Sequence, residues 1–168
     1  MKKIILCISL MLFSSLSVAG VIQGYGNTKW GMSPDEVVSA ENGKAHILSK
    51  PVEYSSWQGK VAIDEVNIGS SKYRVTFLFD RSNRLAQTNL TSYEDKNAGI
   101  NSNNFDTLSS LLSQKYGSPG YVEKNKKNVW VLDGTTIELE HMYMPDIMTE
   151  VIITYKPTSR TKKDTEDL

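Results

Sequence analysis

The stretch T28-K-W-G-M-S-P-D-E-V-V-S-A-E-N-G43 decides how the chain is read. Ser33, Asp35 and Glu36 lie close enough together to suggest a reactive site. Each also has a structural use. Ser33 suits an N-cap, where its hydroxyl accepts from the Glu36 amide while the Glu36 carboxylate reaches back to the Ser33 amide. Pro34 suits the first helical position, where a missing N–H costs nothing. Asp35 and Glu36 put negative charge at the positive end of the helix dipole. Met32 and Val37 are spaced as a hydrophobic staple, and Gly43 suits a left-handed stop. The stretch therefore predicts a short helix and leaves nothing over for chemistry.

Working outward, Asn103 to Tyr116 predicts a second helix. Phe105, Leu108, Leu111, Leu112 and Tyr116 recur at three- and four-residue steps, Asn103 or Asn104 caps the start, and Gly117 with Pro119 ends it. The remaining segments alternate at period two. Residues 61–68, 72–80 and 84–93 read as strands, with Tyr73, Val75, Phe77 and Phe79 on one face. Residues 128–132 and 135–141 form a hairpin across Asp133-Gly134, and 147–155 is a last, β-branched strand. Residues 52–59 lack periodicity and fit a loop or an edge strand. The expected fold class is α+β in two layers. Two helix-plus-three-strand units, about 29–93 and 103–155, form one antiparallel sheet with the helices on one face. The other face is left open as a binding platform.

The ends read differently. Residues 1–19 run from a basic start through the apolar stretch Ile4 to Phe13 to small side chains, with Ser17 and Ala19 placed for cleavage before Gly20. This is the layout of a signal peptide, and the apolar run is too short to span a bilayer. The chain is expected in the periplasm, with no transmembrane segment in its mature form. Cys7 leaves with the signal, so the mature chain holds no cysteine and depends on its own core. Residues 20–28 hold three glycines and read as a flexible leader, with Ile22 or Tyr25 as the residues that would tuck down. Residues 156–168 read as a disordered tail. The 149 residues left after cleavage fit a single domain, 29–155. The full chain balances 19 basic against 19 acidic residues, so no basic stripe points to nucleic acid.

At W30-G-M-S-P-D-E-V37, and again at V75-T-F-L-F-D-R-S-N-R-L85, the chain resembles small envelope proteins of the outer-membrane-assembly lipoprotein (SmpA/OmlA) type. The tandem helix-then-strands layout also resembles β-lactamase inhibitor proteins, which bind an enzyme with a concave sheet. The resemblance implies an α+β fold and a protein-binding role. Two departures stand out. No lipid-bearing cysteine follows the signal, and the disulfides of the inhibitor proteins are missing.

Catalytic patterns are sparse. There is no Gly-x-Ser-x-Gly, and only His46 and His141 are available as general bases. Ser159 to Lys162 spells Ser-x-x-Lys in the expected tail, where nothing would hold a nucleophile in place. Glu138 and Glu140 alternate with Ile137 and Leu139, as on the solvated face of a strand, and do not oppose one another across a cleft. Thioether and imidazole ligands suit copper(I), and His141, Met142, Met144 and Met148 make a compact candidate set. Tyr54, Trp57, Tyr93 and Tyr143 are the candidate recognition residues, since Tyr and Trp are favoured at protein interfaces. Trp30 and Trp130 read as core. The expected function is a periplasmic, non-enzymatic protein-binding module of inhibitor, immunity or envelope-accessory type, with no cofactor. Its partner would be another envelope protein or an exported enzyme. The alternatives are a copper-binding protein or an unrecognised hydrolase.

Overall fold

The computed structural model describes residues 23–160; the expected signal segment 1–19, Ile22 of the expected leader and residues 161–168 of the expected tail lie outside them. Along the chain come α1 (Pro34–Ala40), β1 (His46–Tyr54), β2 (Trp57–Ile68), β3 (Ser71–Phe79) and β4 (Leu85–Ser92). Then follow α2 (Ala98–Tyr116), β5 (Tyr121–Glu123), β6 (Lys127–Val131), β7 (Thr135–Met144) and β8 (Met148–Pro157). All eight strands form one antiparallel sheet in the order β1-β2-β3-β4-β8-β7-β6-β5. The fold is α+β, dominated by its sheet.

Four strands follow each helix, not the expected three. Both additions were hidden by weak patterning. β1 is an edge strand with mostly exposed side chains and Pro51 in its middle. Edge strands accept Pro because an unpaired N–H costs nothing there. β5 is only three residues long, on the opposite edge.

Period-two alternation sends one set of side chains to the helices. Val61, Tyr73, Val75, Phe77, Phe79 and Leu90 share one core with Ile137, Leu139, Val151, Ile153 and Tyr155. Val37 of α1 and Phe105, Leu108 and Leu112 of α2 pack into that core, so both helices cover the same face. Trp130 is buried in it and its indole N–H donates to the Gly117 carbonyl at 2.8 Å. Trp30 packs at the core margin and donates to the Gly134 carbonyl at 3.1 Å.

The capping box forms as predicted. Ser33 N–H donates to Glu36 Oε2 at 2.8 Å, and Glu36 N–H donates to Ser33 Oγ at 3.4 Å. The second helix starts five residues earlier than expected. Asn97 caps it by accepting from Ile100 N–H at 3.0 Å. Leu111, expected on the core face, is exposed.

Both ends are better fixed than their composition suggests. In the leader, Tyr25 packs against Tyr155 and Phe77 with ring centroids at 5.4 and 6.2 Å. The Asn27 amide donates to the Glu41 carboxylate at 2.9 Å. Residues 23–28 are therefore anchored, because the tyrosine supplies apolar area that the glycines cannot. At the other end β8 continues to Pro157, and residues 158–160 make a helical turn. Thr158 donates to the Leu132 carbonyl at 2.9 Å and bonds Thr136 at 3.3 Å. Thr136 points away from the core helices, so this turn lies on the other side of the sheet, and not every helical segment is on one face.

Candidate functional site

The face opposite α1 and α2 is built by the second set of alternating side chains. Register fixes its rows. Thr76 of β3 pairs with Asn89 of β4, Asn89 with Thr154 of β8, and Thr154 with Glu138 of β7. The next row runs Arg74, Thr91, Ile152, Glu140 and Lys127. Almost every member is polar, and most are half-buried.

These side chains bond mainly to one another. Thr154 Oγ1 donates to Asn89 Oδ1 at 3.3 Å, and Gln87 donates to the same oxygen at 2.9 Å. Lys156 lies 2.6 Å from Glu138, while Lys127 lies 3.1 Å from Glu138 and 2.7 Å from Glu140. Burial pushes the Glu138 carboxyl up, but the bonds and charges of Lys156 and Lys127 outweigh it and hold it below its usual value. For Lys127, burial alone would lower the ammonium; Glu140 and Glu138 reverse this and raise it. The result is a preorganised polar band across five strands, β3, β4, β8, β7 and β6.

The lower end of this face is closed by the chain itself. Gly59 faces Leu78 across β2 and β3. A Cβ at Gly59 would meet Thr76 Cγ2 at 2.8 Å and the Tyr54 ring at 3.3 Å, so the glycine makes room for that ring. The Arg160 guanidinium stacks on Trp57, 3.9 Å from the ring centroid. Tyr54 and Trp57, expected to meet a partner, are thus engaged within the molecule.

Tyr93 and Tyr143 lie at the far end of the strands from that pair. Tyr93 is exposed and its hydroxyl donates to the Asp64 carbonyl. Tyr143 is exposed near the tip of the β7–β8 hairpin, on the helix side. The four aromatics do not form one surface, because strand length separates one pair from the other.

The four-residue copper set is also divided. His141 shares its side of β7 with Ile137 and Leu139. Its Nε2 lies 3.0 Å from Thr149 Oγ1, and its ring is 6.3 Å from that of Phe105. Met142 and Met144 alternate to the other face, and Met148 pairs directly with Met144 there. Among the described residues no group of three His, Cys, Asp or Glu could hold a metal ion. Two adjacent carboxylates of β2 are likewise engaged in ion pairs. Asp64 lies 3.3 Å from Arg74, and Glu65 lies 2.9 Å from Lys72.

Sequence reasoning missed the Thr76, Asn89 and Thr154 row. Each residue sits in a different strand, and only the register brings them together. Alternation alone was signal enough to place each on the side away from the helices.

The geometry defines an α+β protein with one polar, partly uncovered sheet face. No protein-family model, curated protein or solved structure matches the chain.

Proposed function

We propose that the chain is an exported, non-enzymatic binding module that grips another protein with the band of polar side chains opposite its helices. The observation that carries this is the pair of internally bonded groups in the band, Asn89 with Thr154 and Glu138 with Lys127 and Lys156. Side chains already fixed in place lose little entropy when a partner arrives. A half-buried polar platform with alternating charge selects a partner by complementarity more than by raw apolar area. The chain order supports the same reading. One helix followed by four strands occurs twice, and the halves meet at β4 and β8. In the β-lactamase inhibitor proteins that this layout resembles, the concave sheet binds an enzyme, and the band takes that role here.

The test compares two baits in an envelope extract. One is the protein itself; the other carries Thr91→Arg and Thr154→Arg, which place two long cations at partly exposed positions of the band. The expected result is a partner retained by the first and lost by the second. Equal recovery on both baits, or none above a blank matrix, would overturn the proposal. Purified partner titrated against both proteins should show the same difference, at about a hundredfold or more.

A further inference from the structure

The described residues contain four methionines, and three of them lie on the β7–β8 hairpin. Met32, the fourth, packs against the core, as methionine usually does. Met142, Met144 and Met148 are not among the side chains packed on that core; Met144 is 40% exposed and the other two are half-exposed. Their placement therefore calls for a reason other than filling the interior.

Register places the three thioethers together. Met144 is the direct cross-strand partner of Met148, and Met142 precedes Met144 by two on the same face. Directly opposed residues hold their Cβ atoms about 5 Å apart, and residues two apart on one strand lie about 7 Å apart. Each methionine has three rotatable bonds beyond its backbone. The three sulfurs can thus meet at a common point without moving the strands. His141 cannot join them, since alternation sends it to the opposite face and Thr149 occupies its Nε2 at 3.0 Å.

We propose that Met142, Met144 and Met148 form a three-thioether surface site for a soft monovalent cation, copper(I) or silver(I). Thioether sulfur is a soft, neutral donor and selects such ions over hard divalent ones. No ligand has to lose a proton, so binding should be nearly flat with pH over the range in which imidazole sites fail. The proposal does not rest on the protein-binding reading, because it uses only the hairpin tip.

The experiment titrates the purified protein against copper(I) held by a chromophoric chelator under reducing, anaerobic conditions. The expected result is withdrawal of one equivalent of copper, nearly unchanged between about pH 5.5 and 7.5. Met144→Leu and Met148→Leu should each weaken it by about tenfold or more. Leucine closely matches methionine in volume, so the hairpin is retained; circular dichroism checks this. His141→Ala should bind like the wild type. In parallel, silver(I) added to protein with labelled methionine methyl groups should shift three methyl signals and leave that of Met32 in place. Leucine variants that bind as well as the parent, a steep loss of binding as pH falls, or methyl signals that do not move would each overturn the site.

Discussion

Asn101 is fully buried on α2 and is used at every atom of its amide. Nδ2 donates to the Glu94 carbonyl at 2.8 Å and the Thr149 carbonyl at 2.9 Å, while Oδ1 accepts from Asn104 at 3.3 Å. One side chain thus ties the linker before α2 to β8. Replacing it by Leu keeps the volume and orphans these groups, at a cost of about 3 kcal/mol. Urea unfolding should show the loss, with faster exchange of the Thr149 amide, which donates to the Asp95 carbonyl. A loss below about 1 kcal/mol would show that water replaces the network. Asn101 was invisible in the sequence because Thr149 is 48 positions away. The Ser33 box was legible for the opposite reason, since all its atoms lie within four residues.

The elements that were legible are those whose signal is local. α1 has its cap, the β6–β7 hairpin has Asp133-Gly134, and β3 has four apolar residues in strict alternation. β1 had none of these, and at the leader the glycines suggested flexibility while Tyr25 was one of the two residues expected to tuck down. Tyr25 anchors that segment between Tyr155 and Phe77. Tyr25→Ala should cost about 3 kcal/mol, and Tyr25→Phe much less. Burial first, then the charge of Glu41, pushes the Tyr25 hydroxyl from its usual 10.0 to about 12. A group raised in the folded state holds its proton more tightly there than when unfolded. Its contribution is present below about pH 10 and is lost as pH rises toward about 12. Thermal unfolding at about pH 9 and about pH 11 should therefore show a smaller alkaline loss in Tyr25→Phe than in the parent. Tyr73, also raised to about 12 by burial, keeps part of the slope in both proteins. Identical alkaline losses would mean that Tyr25 is hydrated.

Across the whole molecule the sheet divides its labour by face. One side buries the apolar set beneath two helices, and the other spends its exposure on a charge network spanning β6, β7 and β8. Alternation made the two faces legible, but the order of strands was not, because β4 and β8 are about sixty residues apart and no local signal pairs them. The network has a definite pH signature. Glu138 and Lys156 side chains are only 16% and 19% exposed, so screening by water is incomplete. Glu138 is held below its ordinary value, so its contribution is present above about pH 4.5 and is lost as pH falls through the folded value. Lys127 is held above 10.5, so its share persists through neutral pH and disappears only in strong alkali. A double-mutant cycle with Glu138→Gln and Lys156→Met should accordingly give a coupling of about 1 kcal/mol at neutral pH. As pH is lowered through the folded value of Glu138, the coupling should fall toward zero, because protonation then removes the charge that Glu138→Gln removes. Salt should reduce the neutral value only in part, as expected for partly buried charges. A coupling that stays constant from neutral to acid pH would show that shape, not charge, joins β7 to β8 at this point.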